Sequence, residues 1–175
     1  MKNILPLICV ILLSLVLTAC GGGGSSTSNS GGTTSTLGPF TCTGLSAAFV
    51  NGSTTPTNLS CVDSPAGTGA VLTAGEVPNL TFTGYVYDSA NAGTNYEGAI
   101  FQPTYTGSSY AIGEGYFIAG FDQGLLGMQV GDTRTLLIPA SMAYGASPPP
   151  ALAGYAAIPA NSALVFVVTL NSIGS

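Results

Sequence analysis

One segment of this chain has helical periodicity, and it is set among strands. From Tyr116 to Met128, Phe117, Phe121, Leu125 and Met128 recur at the spacing of one helix face, and Gly131 stands just past the end. Around this segment the pattern is β. Leu80, Phe82 and Val86 alternate with Thr81, Thr83, Tyr85 and Tyr87, as in a half-buried strand. Ala70-Val71-Leu72 and Ala99-Ile100-Phe101 are short strand candidates on either side of it. Thr133 to Ile138 and Ala163 to Ile173 read as strands, the second with Leu164, Phe166, Val168 and Leu170 on one face. One short helix cannot build a bundle or a parallel α/β sheet. Several strands with one helix predict an α+β domain, an antiparallel β half-barrel wrapped around the helix.

The N-terminus is of another kind. Lys2 supplies a positive start, and Ile4 to Val16 is an uncharged apolar run, too short to span a bilayer and of signal-peptide length. It ends in Leu17-Thr18-Ala19-Cys20, which resembles a bacterial lipobox. That resemblance implies a signal peptide over 1–19 and lipid on Cys20, whereas an ordinary secretory signal would carry a Cys there by chance. Residues 21–36, GGGGSSTSNSGGTTST, have no apolar periodicity and form a flexible linker with a reach of roughly 20–25 Å. Gly21 rather than Asp after the Cys favours the outer membrane, by analogy with enteric lipoproteins. About 135 residues remain to fold, which is one domain.

Composition excludes several kinds of chemistry. The only bases are Lys2 and Arg134, set against seven acids, and His is absent. Nucleic acid and anionic lipid both need clustered Lys and Arg, so neither is an expected electrostatic partner. Without His, and with few other ligating side chains, the usual metal sites and acid–base relays are not available. Beyond Cys9 and Cys20, two Cys remain, Cys42 and Cys61. In an exported chain they are expected to pair, closing a loop worth roughly 3 kcal/mol, the alternative being two buried thiols. Residues 37–60 then form an N-terminal extension stapled to the first strand.

The stretch GFDQGLLGMQVGDTRTLLIPASMAYG over 120–145, answered by IPANSALVFVVTL over 158–170, closely resembles the FKBP-type peptidyl-prolyl cis-trans isomerases. The likeness runs from about Cys61 to residue 175. It is strong over 117–145 and 158–170, and weak over 88–112. It implies an apolar pocket that takes the proline ring of a polypeptide substrate, with no cofactor.

Matched position by position, the resemblance assigns Phe121 to the pocket floor, where the family most often has Trp. Phe101 begins the family's Phe-Asp pair, and Gln102 stands where the Asp is usual. Phe117 and Ile118 are the pair that enters the helix, and Phe166 is the rear wall. Tyr144, in Ala143-Tyr144-Gly145, is the tyrosine whose hydroxyl bonds the substrate carbonyl. Ile158, before Pro159, supplies a backbone N–H to the ligand. Phe82-Thr83-Gly84 replaces the family's Tyr-Thr-Gly. A phenol and a carboxylate that usually face each other are therefore both lost. Ser108 lies near a position where a wall aromatic is usual, and Tyr105 or Tyr110 could substitute. The 146–157 loop, with Pro148-Pro149-Pro150, is longer than the family's, and Leu152 and Tyr155 could cap the pocket.

These readings imply a monomeric peptidyl-prolyl isomerase that helps exported proteins fold. It would be lipid-anchored to a bacterial membrane and face the periplasm or cell surface. The alternative is a proline-peptide-binding protein of the same fold with little or no catalysis, which the residues at Phe82 and Gln102 favour.

Overall fold

The computed structural model describes residues 40–42, 44–45, 55–108 and 110–174. The expected signal segment, Cys20 and the linker lie outside these residues. Five strands form one antiparallel sheet: β1 (Ser60–Asp63), β2 (Val77–Tyr87), β3 (Glu97–Ser108), β4 (Thr133–Ile138) and β5 (Leu164–Gly174), in the order β1-β4-β5-β2-β3. One α-helix, α1 (Ala119–Leu125), lies against β4. Among the described residues no helix is long and apolar enough to cross a membrane.

The predicted fold class is the one observed. Alternation on β2 places Leu80, Phe82 and Gly84 inward, and β5 buries Leu164, Phe166, Val168 and Leu170. These side chains meet Leu125 and Leu126 from the helix region and Leu136 and Ile138 from β4 in a single core. Close approach of helix and sheet depends on Gly120 and Gly124, four residues apart on one helix face. A Cβ on Gly124 would lie 2.6 Å from Leu136 Cδ2, and one on Gly120 would collide with Ile138 Cγ2. The outer face is hydroxylated. Thr133, Thr169, Thr81 and Thr106 stand in register across four strands, with Oγ1–Oγ1 contacts of 2.9 Å for Thr133–Thr169 and Thr81–Thr106. Such cross-strand pairs stabilise a sheet without adding charge.

Three expectations about local structure change. The helix is shorter than 116–128. Ile118 has extended geometry (φ −60°, ψ 144°) and Leu126 leaves the helix at ψ 136°. Phe117 therefore precedes the helix, yet its ring centroid lies 5.2 Å from that of Phe121. Second, the strand expected at 99–101 is the twelve-residue β3, whose Pro103 and two glycines broke the sequence pattern. β3 is an edge strand, where a residue without an N–H is tolerated. Third, Ala70-Val71-Leu72 forms no strand but one bridge, Val71 to Gln129.

The described residues of the N-terminal extension are docked. A disulfide joins Cys42 to Cys61 on β1, and Gly44 N donates to Cys61 O at 3.1 Å. Phe40 N donates to Leu126 O at 3.3 Å, just past the helix.

Candidate active site

Eight of the nine residues assigned to the site line one cavity: Phe82, Phe101, Gln102, Phe117, Ile118, Phe121, Tyr144 and Phe166. The ninth, Ile158, lines an adjoining chamber with Pro149, Pro150, Leu152 and Ala156. Phe101, Gln102 and Tyr144 border both spaces and so divide them. Each measures about 330 Å³ counting its open mouth.

The enclosure is built mostly from ring edges meeting ring faces, with Phe117 tilted on Phe121. Phe121 is its centre, with ring centroids at 5.1 Å from Phe166, 5.2 Å from Phe117 and 5.7 Å from Phe82. Phe101 meets Phe166 at 5.5 Å and 89°. Edge-to-face pairs at these separations add about 0.5–1.5 kcal/mol each beyond burial. β2 and β5 bring Phe82 and Phe166 to the wall because each is an inward position of its strand. Gly84 makes room between the strands. A Cβ there would sit 2.8 Å from Phe101 Cζ and 2.9 Å from Gln102 Cβ.

The polar character of the wall is small. Gln102 is buried, and its Nε2 donates to Pro103 O at 3.1 Å. Phe82 presents no hydroxyl. Tyr105 packs on Phe82 at 5.5 Å and belongs to the core rim, and Tyr110 packs on Phe117 at 6.3 Å. Both tyrosines proposed as substitutes therefore back the wall, though neither lines the cavity. Among the described residues no group of three or more His, Cys, Asp or Glu could hold a metal ion.

The loop over the site is tied at its base. Asn161 N donates to Gly145 O at 2.7 Å, and Ala156 N donates to Ile100 O on β3 at 2.9 Å. Leu152 lines the second chamber, whereas Tyr155 is 42% exposed and lines neither.

Two residues that hold the site escaped the sequence reading, which counted them only as charges. Asp122, beside Phe121, is buried and accepts backbone N–H bonds from Gly113 at 3.1 Å and Gly115 at 2.9 Å. Burial pushes its carboxyl above the ordinary carboxylate range, while hydrogen bonds from the backbones of Gly113, Gly115 and Phe117 pull it back. Asp122 thus pins the segment carrying Phe117 to the helix carrying Phe121. Arg134 pairs with Asp63 through Nε and Nη2 at 2.7 and 2.8 Å. Its Nη1 donates to Gly124 O at 2.8 Å and Leu126 O at 3.2 Å, fixing the end of α1 on β4. An acid inside the expected helix and a lone base in an expected strand were the only sequence traces of these roles.

Comparison with known proteins bears on this arrangement. A family model described as FKBP-type peptidyl-prolyl cis-trans isomerase matches residues 73–171. FK506-binding protein 4 of Chaetomium thermophilum is 36% identical over 111 residues, covering 63% of this chain and 20% of that protein. The chain therefore spans about a fifth of that relative's length. FK506-binding protein 1 of Aspergillus oryzae is 32% identical over 111 residues, covering 61% of this chain and 90% of that one. The crystal structure of AtFKBP13 superposes with a TM-score of 0.52 at 26% identity, covering 69% of this chain and 96% of that one. The matched span includes the whole ring enclosure, and the chain belongs to the FKBP-type peptidyl-prolyl cis-trans isomerase family.

Proposed function

We propose that this protein isomerises X-Pro bonds in exported polypeptides while anchored by lipid at Cys20 to a bacterial membrane. It acts as a monomer facing the periplasm or cell surface, more in keeping with the outer than the inner membrane. The observation that carries the catalytic reading is the cavity walled by five phenylalanines, Ile118, Gln102 and Tyr144, with no carboxylate or base among its lining residues. The barrier to rotation is amide resonance, about 18–20 kcal/mol, and resonance places negative charge on the carbonyl oxygen. Water stabilises that charge, and a wall of rings does not. Enclosure therefore raises the planar amide relative to the twisted one, which lacks the charge separation. The Tyr144 hydroxyl and the Ile158 N–H then serve as donors that favour the twisted geometry. The Leu17-Thr18-Ala19-Cys20 motif and the Gly/Ser linker support the anchor.

A second reading, a proline-peptide binder with little catalysis, is favoured by Phe82 and the buried Gln102, which leave the wall without a phenol–carboxylate pair. Losing both partners together is physically consistent, because either one alone would be left unpaired and buried. A protease-coupled isomerisation assay on an X-Pro peptide series decides between them. Rates well above the uncatalysed rate support the enzyme. Rates at background with retained peptide binding support the binder, and in that case F82Y/Q102D is expected to restore activity. If no proline peptide binds, both readings fail. For the anchor, mass spectrometry of the N-terminal peptide is expected to find acylated Cys20, and an unmodified Cys20 in membrane-derived protein excludes it.

A further inference from the structure

The ring enclosure does not end at the pocket wall. Phe117 lines the cavity, and Tyr110 meets it edge-on at 6.3 Å and 67°. Tyr110 in turn stacks on Tyr116 with centroids 4.9 Å apart and planes 19° apart. Rings therefore run without a break from the pocket floor at Phe121 through Phe117 to a stacked pair at the surface. Tyr110 is 40% and Tyr116 46% exposed. The two rings are stacked on each other, yet both residues keep a large exposed surface. Aromatic residues of this kind present a large apolar area at low entropic cost, with the hydroxyl remaining wet.

We propose that the Tyr110–Tyr116 pair is a docking platform for an aromatic side chain of the substrate polypeptide, set a short distance along the chain from the proline in the pocket. The proposal rests on the isomerase-family pocket being the proline site and adds a second recognition element to it. The occupant follows from three observations. The platform is continuous with the pocket, so what reaches it is the same extended chain. The steps from Phe121 to Phe117 and from Phe117 to Tyr110 are 5.2 and 6.3 Å. At roughly 3.3–3.6 Å per extended residue, that path corresponds to about two to four residues from the proline. The lining of the pocket and the platform itself hold no formal charge, so a ring, rather than an ion, is what stacking tyrosines select. The pair thereby distinguishes unfolded chains with exposed aromatic residues near proline from folded surfaces, where such residues are buried.

The chain contains no Trp, so a Trp in a peptide can be observed alone. The test uses the full chain in detergent and uncharged peptides with a central Ala-Pro. One set places Trp two, three or four residues before or after the proline, and the reference has Ala throughout. Calorimetric titration gives Kd for every peptide, Trp fluorescence checks it for the Trp peptides, and isomerisation is read separately. The wild type is expected to bind at least one Trp peptide about three- to tenfold more tightly than the reference. Tyr116→Ala is expected to bring that ratio close to one, and Tyr116→Phe, which keeps the ring, to preserve it. Tyr155→Ala removes an equally exposed tyrosine from the 146–157 loop and is expected to keep the ratio. A wild-type ratio of one at every Trp position overturns the proposal. So does a ratio that survives Tyr116→Ala, or a variant that weakens Trp and reference peptides equally, which is the result of a purely supporting role. Failure of the proline pocket is a separate outcome, seen as loss of binding to the reference peptide and to its Ala-Ala counterpart alike while Trp peptides still discriminate Tyr116→Ala.

Discussion

Helix α1 is held by two unlike environments. Towards the pocket, Phe121 is surrounded by the rings of Phe82, Phe117 and Phe166, whose contacts have preferred geometries but no obligatory partner. Towards the frame, Asp122 accepts from the loop backbone, and Arg134 ties Gly124 and Leu126 carbonyls to Asp63. The difference is in tolerance. A ring can be exchanged for another apolar group and the wall still excludes water, with a loss graded by volume. A buried ion that loses its partner leaves a charge or carbonyl that nothing nearby can satisfy. The site can therefore vary its walls, as it has at Phe82 and Gln102, while its frame cannot.

The most damaging changes strike the centre of each environment. Phe121→Ala removes the ring shared by three others and is expected to cost about 3–5 kcal/mol of stability, with proline-peptide binding lost alongside. Phe121→Leu should recover most of the stability, measured by denaturant unfolding, and if it does not, the ring side is as exacting as the ionic one. Arg134→Ala strands Asp63 and two carbonyls and is expected to cost about 3 kcal/mol or more. Arg134→Lys should recover little of that, because one ammonium cannot reproduce a fork that meets both carboxylate oxygens and two carbonyls. Full rescue by Lys would erase the contrast.

Asp122→Asn keeps the shape but turns a donor towards backbone N–H groups. A loss of about 1–3 kcal/mol is expected, with peptide affinity falling as Phe117 loosens. Tyr144→Phe belongs to the tolerant side. It should leave unfolding nearly unchanged and slow isomerisation about three- to tenfold, the equivalent of about 0.5–1.5 kcal/mol in the transition state. An unchanged rate would mean that this hydroxyl does not reach the substrate carbonyl.

The smallest effect is a pH dependence. Asp122 has its folded pKa raised, chiefly by burial. A raised folded value contributes stability that is fully present below the unfolded pKa and is lost as pH rises through the folded one. In the window just above the ordinary carboxylate range, wild type should therefore lose stability relative to Asp122→Asn as pH increases. Paired melting curves across that window check the sign, and the opposite slope would show that the three backbone donors outweigh burial.

The two environments also differed in how readable they were. The ring wall was legible because each member occupies an ordered motif, and eight of the nine residues named for it meet in one cavity. Even Phe117, placed inside the helix by its spacing, lines the same cavity as Phe121. An extended residue just before a helix can fall on the same side as the helix face that follows. The frame was illegible because nothing in the neighbourhood of Asp122 or Arg134 states which backbone groups will converge on them. Those partners, Gly113, Gly115, Gly124 and Leu126, contribute main-chain atoms, which no side chain announces in the sequence. β3 was hidden for a further reason. Its Pro103, Gly98 and Gly107 count against a strand wherever pairing is required on both sides, and only its edge position makes them acceptable.

Arg134 has one more consequence. Beyond Lys2 it is the sole basic residue, so it marks the only other peptide bond open to a trypsin-like protease. That bond lies within β4, between two neighbouring strands, and the side chain that a protease would have to seize is 2% exposed and held by Asp63. The folded domain offers such an enzyme nothing to cut, and cleavage after Arg134 can follow only when β4 leaves the sheet. Appearance of that single nick thus reports the opening of β4.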